Sequence, residues 1–173
     1  MADVKPFKNN SGTVTEFGAT DTIPFANLNL DGSFIGKTWT KRKAGDQDIS
    51  TSTAFQDDTE CVIPILANEK KDGFLLSQWV VGAGNLKIKF TVPSGCTATM
   101  TGVITSGGFQ SVDATASKSL VITMTASSYF YLLVDFQNGA NAGDIQFQFS
   151  QNTSNGANTT HKKGSLFSLT RYE

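Results

Sequence analysis

The stretch Asn85-Leu-Lys-Ile-Lys-Phe-Thr-Val-Pro93 decides the fold class. Leu86, Ile88, Phe90 and Val92 alternate with Lys87, Lys89 and Thr91. A period of two sends the apolar residues to one face of a strand and the polar ones to the other. The same rhythm recurs outward from this point. In Asp144-Ile-Gln-Phe-Gln-Phe-Ser150, Ile145, Phe147 and Phe149 share a face. In Ser119-Leu-Val-Ile-Thr-Met124, Leu120, Ile122 and Met124 do. Turn signals separate these runs: Gly82-Ala-Gly84, Pro93-Ser-Gly95, Ser106-Gly-Gly108, Asn138-Gly139, Ala142-Gly143 and Asn155-Gly156. Strands are expected at 49–56, 61–67, 73–82, 85–92, 97–105, 118–126, 128–136, 144–151 and 164–172. Short strands at this spacing predict an all-β protein, a two-sheet sandwich or jelly roll.

Two segments break the alternation. Gly73-Phe-Leu-Leu-Ser-Gln-Trp-Val-Val81 and Tyr129-Phe-Tyr-Leu-Leu-Val-Asp-Phe136 are apolar on both faces. In an isolated sandwich one of those faces meets water. Either another copy of the chain covers it, or the strand is central and lies under a loop.

Composition agrees with strands and turns. Of 173 residues, 21 are Thr, 16 Ser and 16 Gly, and 13 Phe supply material for a core. Fourteen Lys and Arg against fifteen Asp and Glu give a net charge of −1, which offers no general attraction for nucleic acid or an anionic membrane. No apolar run is long enough to span a bilayer, and Met1 to Asn10 lack the apolar stretch of a secretory signal. Residues 1–38 hold scattered apolar side chains broken by Pro and Gly, too many for a solvating tail and too few for an independent core. They are expected to fold against something else. Residues 39–48 read as a polar connector, with Lys41, Arg42 and Lys43 a solvated charge run, and 49–173 as the main domain.

The search for chemistry is largely negative. Cys61 and Cys96 fall in separate strands and read as buried reduced thiols, with a bridge left open. His161, the sole histidine, sits in the polar stretch Asn158-Thr-Thr-His-Lys-Lys-Gly164 with no acid nearby in sequence, and reads as an exposed loop residue. The group Gln56-Asp57-Asp58-Thr59-Glu60 reads as a turn, with calcium ligation as the rival. Adjacent Asp57 and Asp58 would point to opposite faces and serve poorly as a carboxylate pair. Gly82-Ala-Gly84 is a turn and not a phosphate loop. Trp79 reads as core or interface, and Trp39 as more open to a partner. No catalytic residue, metal or cofactor is expected, and the chain is read as not an enzyme.

The pieces together resemble the compact jelly-roll modules, similar in fold to tumour necrosis factor and C1q, of tailed-bacteriophage virion proteins. The resemblance covers about residues 50–173. It is carried by Ser52-Thr-Ala-Phe-Gln-Asp-Asp-Thr-Glu-Cys-Val-Ile-Pro-Ile65, Ile88-Lys-Phe-Thr-Val-Pro-Ser-Gly95, Phe147-Gln-Phe-Ser-Gln-Asn-Thr-Ser154 and Gly164-Ser-Leu-Phe-Ser-Leu-Thr-Arg171. The stretch Thr13-Val-Thr-Glu-Phe-Gly-Ala-Thr-Asp-Thr-Ile-Pro-Phe-Ala-Asn-Leu28 resembles leaders found ahead of fibre or spike domains.

What the resemblance implies is a homotrimer located on the virion and made in the host cytoplasm. Its leader would dock on the major capsid protein or another virion protein. Without room for a long shaft, a capsid decoration protein, short head fibre or stubby tail spike is expected. The anchoring residues are then Phe7, Ile23, Phe25, Leu28 and Leu30, and the trimer contacts Phe74, Leu76, Trp79, Tyr129 and Tyr131. The alternative is the receptor-binding tip of a tail fibre or spike, reading a host surface glycan through loops 106–117 and 151–163. Neither reading calls for nucleic acid or a membrane.

Overall fold

The computed structural model describes strands Phe7–Lys8 and Val14–Thr15 and residues 36–104, 108–115, 120–122 and 127–173; side chains are described for 36–102 and 128–173. Contacts divide the chain into two units, Met1–Ser33 and Phe34–Glu173. In the first, β1 (Phe7–Lys8) pairs antiparallel with β2 (Val14–Thr15), Phe7 opposite Thr15. Ile23, Phe25, Leu28 and Leu30 lie outside the described residues, as does the side chain of Phe7.

The second unit is a jelly-roll β-sandwich. Its strands are β3 (Thr38–Arg42), β4 (Gln47–Ile49), β5 (Gln56–Ile65), β6 (Lys70–Val80), β7 (Leu86–Thr91), β8 (Thr97–Ile104), β9 (Gly108–Thr115), β10 (Leu120–Ile122), β11 (Ser127–Gln137), β12 (Gly143–Gln151), β13 (Thr159–His161) and β14 (Leu166–Arg171). The smaller sheet has the order β10-β7-β12-β5 and the larger β3-β14-β6-β11-β8-β9, with β13 bridging β4 and β6. From β5 to β14 the chain keeps crossing from one sheet to the other. Only β8 and β9, among these strands, pair with their neighbour in sequence. That alternation separates a jelly roll from a meander.

The expected period holds where it is clearest. Leu86, Ile88 and Phe90 on β7 and Ile145, Phe147 and Phe149 on β12 are all buried. They meet Leu75 and Trp79 of β6, Phe130, Leu132, Val134 and Phe136 of β11, and Phe167 and Leu169 of β14. At Gly73 the strands approach so closely that a Cβ would lie 2.0 Å from the Ser168 carbonyl oxygen, so only glycine fits.

Several expectations are corrected. The stretch read as a polar connector contributes β3 and β4, and β3 pairs with β14 residue by residue from Leu166↔Arg42 to Thr170↔Thr38. Residues 50–55 form no strand, whereas Gln56, Asp57 and Asp58 open β5 and do not make a turn. Within the stretch read as loop 106–117, residues 108–115 form β9, which extends the larger sheet. Trp39 is half-buried, with the Lys71 ammonium 3.2 Å from the centre of its ring.

Candidate functional site

Two features lie outside ordinary core packing. The first is the outer face of the larger sheet. On β6 the residues Leu75, Ser77 and Trp79 point inward, leaving Phe74, Leu76, Gln78 and Val80 outward. On β11 the outward set is Tyr129, Tyr131 and Leu133. The ladder places Leu76 opposite Tyr131, Phe74 opposite Leu133 and Gln78 opposite Tyr129. The Phe74 and Tyr131 rings stack with centroids 5.6 Å apart. Leu133 is 51% exposed, Tyr129 50% and Leu76 42%, so the middle of this sheet presents a continuous apolar stripe. A shallow groove beside it is lined by Asp72, Phe74, Thr99, Thr101, Leu133 and Asp135. The smaller sheet differs: its outer positions include Lys87, Lys89, Thr91, Gln146 and Gln148. The larger sheet instead carries an apolar stripe along the middle of β6 and β11, flanked by polar positions such as Thr40, Asp72, Thr99 and Gln137.

Of the residues expected at a trimer contact, Phe74, Leu76, Tyr129 and Tyr131 therefore share the outer face. Trp79 does not. It is fully buried on the inner face, one residue out of phase with its outward neighbours, and is removed from the contact set.

The second feature is a buried polar network that long sequence separation conceals. His161 is fully buried in β13 and is not an exposed loop residue. Its ring lies flat against Trp79, with centroids 4.3 Å apart and planes 5° apart. Its Nδ1 is 2.5 Å from Asp58 Oδ2 and its Nε2 2.7 Å from Ser77 Oγ. An ionised carboxylate only accepts, so Nδ1 carries the proton, and Nε2 of the neutral ring accepts from the serine hydroxyl.

A bulge in β5 sets Asp58. Between Val62↔Gln146 and Asp57↔Gln148 the β5–β12 register slips. There Asp58 turns inward and its Oδ1 accepts the backbone N–H groups of Glu60 (3.0 Å) and Cys61 (2.9 Å). Lys43 Nζ closes the network, 3.0 Å from Asp58 Oδ2 and 3.2 Å from Glu60 Oε2. Lys43, read as part of a solvated run, is buried.

The electrostatics follow from this geometry. Burial alone would raise the Asp58 carboxyl, but the His161 hydrogen bond, the Glu60 N–H and Lys43 overcome it and hold it well below the ordinary carboxylate range. Burial pushes the His161 imidazole down; Asp58 opposes this without reversing it. Burial raises both thiols, Cys96 to about 11, and both cysteines are free.

Ser77, His161 and Asp58 stand in the order of a nucleophile, a base and its orienting acid. All three are shut inside the sandwich, and neither the groove on the large sheet nor the one at Asp48–Gln56 is lined by them. The calcium reading also fails on geometry: Asp57 faces outward to Gln148, while Glu60 accepts from Ala44 and Gly45. Asp58, Cys61 and His161 do converge within 4.8 Å, but the Lys43 ammonium already supplies the cation there.

A scan of protein-family models and a search of curated proteins each find no match. Among solved structures the chain is similar to one of infectious bursal disease virus, Gt strain, at 15% identity and a TM-score of 0.20 over 88% of this chain and 41% of that one. It is similar to a Gx-strain structure at 11% identity and a TM-score of 0.18, over 97% of this chain and 45% of that one. The chain spans less than half the length of either. The jelly-roll assignment rests on the strand order above.

His161 makes acid stability predictable. Its pKa is lowered on folding, so below about pH 6.5 the unfolded chain takes up a proton that the native core refuses. Its contribution is whole above that pH and shrinks as pH falls, by at most about 1.4 kcal/mol per pH unit. As the sole histidine it owns the window between pH 6.5 and the carboxylate range. Urea midpoints at pH 7.5 and 5.5 should fall with acid in the native protein. A folded His161→Gln variant should show little slope there; an equal slope would show that the group responsible lies elsewhere.

Proposed function

We propose that this chain is a structural accessory protein of a virion. In this reading it works as a homotrimer that packs the outer faces of its larger sheets together and docks through its N-terminal segment. The observation that carries the reading is the apolar stripe of Phe74, Leu76, Val80, Tyr129, Tyr131 and Leu133. A chain that keeps one sheet polar and sets an apolar stripe in the middle of the other is shaped to be covered along that stripe. The resemblance of residues 50–173 to phage jelly-roll modules supplies the number of copies and the setting, a capsid decoration protein or short head fibre. A structural role also accords with the closed state of the Ser77–His161–Asp58 group, which no substrate reaches. The glycan-binding reading is weaker, because residues 108–115 are strand and Thr159, Thr160 and His161 are buried.

Native mass measurement of the purified chain tests the reading: three copies are expected, and a stable single copy at micromolar concentration would end it. On particles, replacing Phe7, Ile23, Phe25, Leu28 and Leu30 with serine should release a folded trimer. Retention of that variant would remove the anchoring role.

A further inference from the structure

Lys43 and Asp58 form a buried ion pair whose surroundings are arranged for more than attraction. Their side chains are 1% and 0% exposed, with Nζ 3.0 Å from Oδ2. The other carboxylate oxygen, Oδ1, sits between the backbone N–H groups of Glu60 and Cys61. Two such donors on one oxygen are what stabilises the oxyanion in acyl transfer. Glu60 Oε2, 3.2 Å from Nζ, is placed to take a proton from the ammonium. His161 Nδ1–H, 2.5 Å from Oδ2, donates a hydrogen bond to the oxygen that would leave, and the Ser77 hydroxyl behind Nε2 fixes the ring in that orientation.

We infer that Lys43 and Asp58 become joined, after folding, by an intramolecular amide bond. Glu60 removes one proton from the Lys43 ammonium. The freed lone pair attacks Cγ of Asp58, forming the C–N bond, and negative charge gathers on Oδ1 in its cradle. The second proton passes from the nitrogen straight to Oδ2, 3.0 Å away, and the proton on Glu60 Oε2, 3.2 Å from Nζ, returns through the nitrogen to the same oxygen, while the neutral His161 keeps its Nδ1–H hydrogen bond to Oδ2. The C–Oδ2 bond breaks and Oδ2 departs as water. One ammonium and one carboxylate become one amide and one water, with no oxidant or reductant.

Folding supplies the proximity that makes such a condensation feasible. The product also replaces two desolvated charges, costly to keep in a core, with a neutral group. The bond would tie the segment following β3 to the bulge of β5.

Peptide mapping of the full-length native protein, denatured only at digestion, tests this. Trypsin should not cut after Lys43. The peptides carrying Lys43 and Asp58 should appear as one branched species, lighter than their sum by one water, about 18 Da. Lys43→Arg should abolish the species. Glu60→Gln, on a partly exposed residue, should slow its formation by at least about tenfold. Separate peptides at unmodified masses, from folded protein held for days, would overturn the inference and leave an ordinary salt bridge. A bond forming equally fast in Glu60→Gln would overturn the role of Glu60.

Discussion

On the proposed trimer, a chain carrying Leu76→Lys and Leu133→Lys should run as single folded copies. The two residues lie on neighbouring strands of the outer face, 42% and 51% exposed in the isolated chain. Covering what remains of both is worth about 2 kcal/mol per copy. Their replacement also asks the contact to bury two ammonium groups without partners, which costs more again. The dissociation constant should therefore rise at least about thirtyfold. Fold should survive, because neither side chain reaches the core, and a native circular-dichroism spectrum checks this. Leu66→Lys serves as the control: Leu66 is 46% exposed but lies beyond the end of β5 and outside the stripe. Light scattering against concentration reads all three proteins. An unchanged assembly in the double variant would mean that the stripe is not the contact.

How the sequence foretold this surface, and where it failed, comes down to phase. Alternation in Leu86-Lys-Ile-Lys-Phe90 names its own inner face, because the lysines can only point to water. In Phe74-Leu-Leu-Ser-Gln-Trp-Val80 every position is compatible with either side, and a one-residue change of phase exchanges the two faces. The inward side of Trp79 is set by contacts the local pattern does not contain, chiefly its stack on His161. The segment Thr38-Trp-Thr-Lys-Arg42 reads as linker because its outer and inner positions are both polar or amphipathic. Its partner β14 lies at the far end of the chain.

The buried network was illegible for a related reason. His161 and Asp58 are 103 positions apart, and Ser77 and His161 are 84 apart. A composition rich in polar residues around His161 suggests a surface loop, yet β13 inserts between β4 and β6 and buries all three of its residues. Only the opposite orientation of Asp57 and Asp58 was readable in advance, from strand parity. The bulge that lets Cys61 and Glu60 donate to Asp58 has no local signature.

Trp79→Ala should be the most damaging single substitution in the core. The indole is fully buried, stacked on His161, with Phe130 at 6.1 Å and the Phe149 edge at 5.0 Å. Truncation leaves a cavity under several aromatic rings and should cost roughly 3–5 kcal/mol, a large part of the stability of a domain this size. It should also let water reach His161, so the imidazole protonates more readily in the native state and the acid slope flattens. Trp79→Phe separates packing from polarity. The indole Nε1 has no hydrogen-bond partner in its buried position, so phenylalanine gives up volume but also removes an unsatisfied donor. The two effects oppose, and the loss should stay below about 1.5 kcal/mol. Urea unfolding followed by far-ultraviolet circular dichroism, at pH 7.5 and 5.5, measures both variants on one scale. Equal losses for alanine and phenylalanine would mean that a smaller ring cannot stand in for the indole in the stack on His161. A loss under about 1 kcal/mol for alanine would mean that the sandwich closes over the gap and that Trp79 does not hold His161 dry.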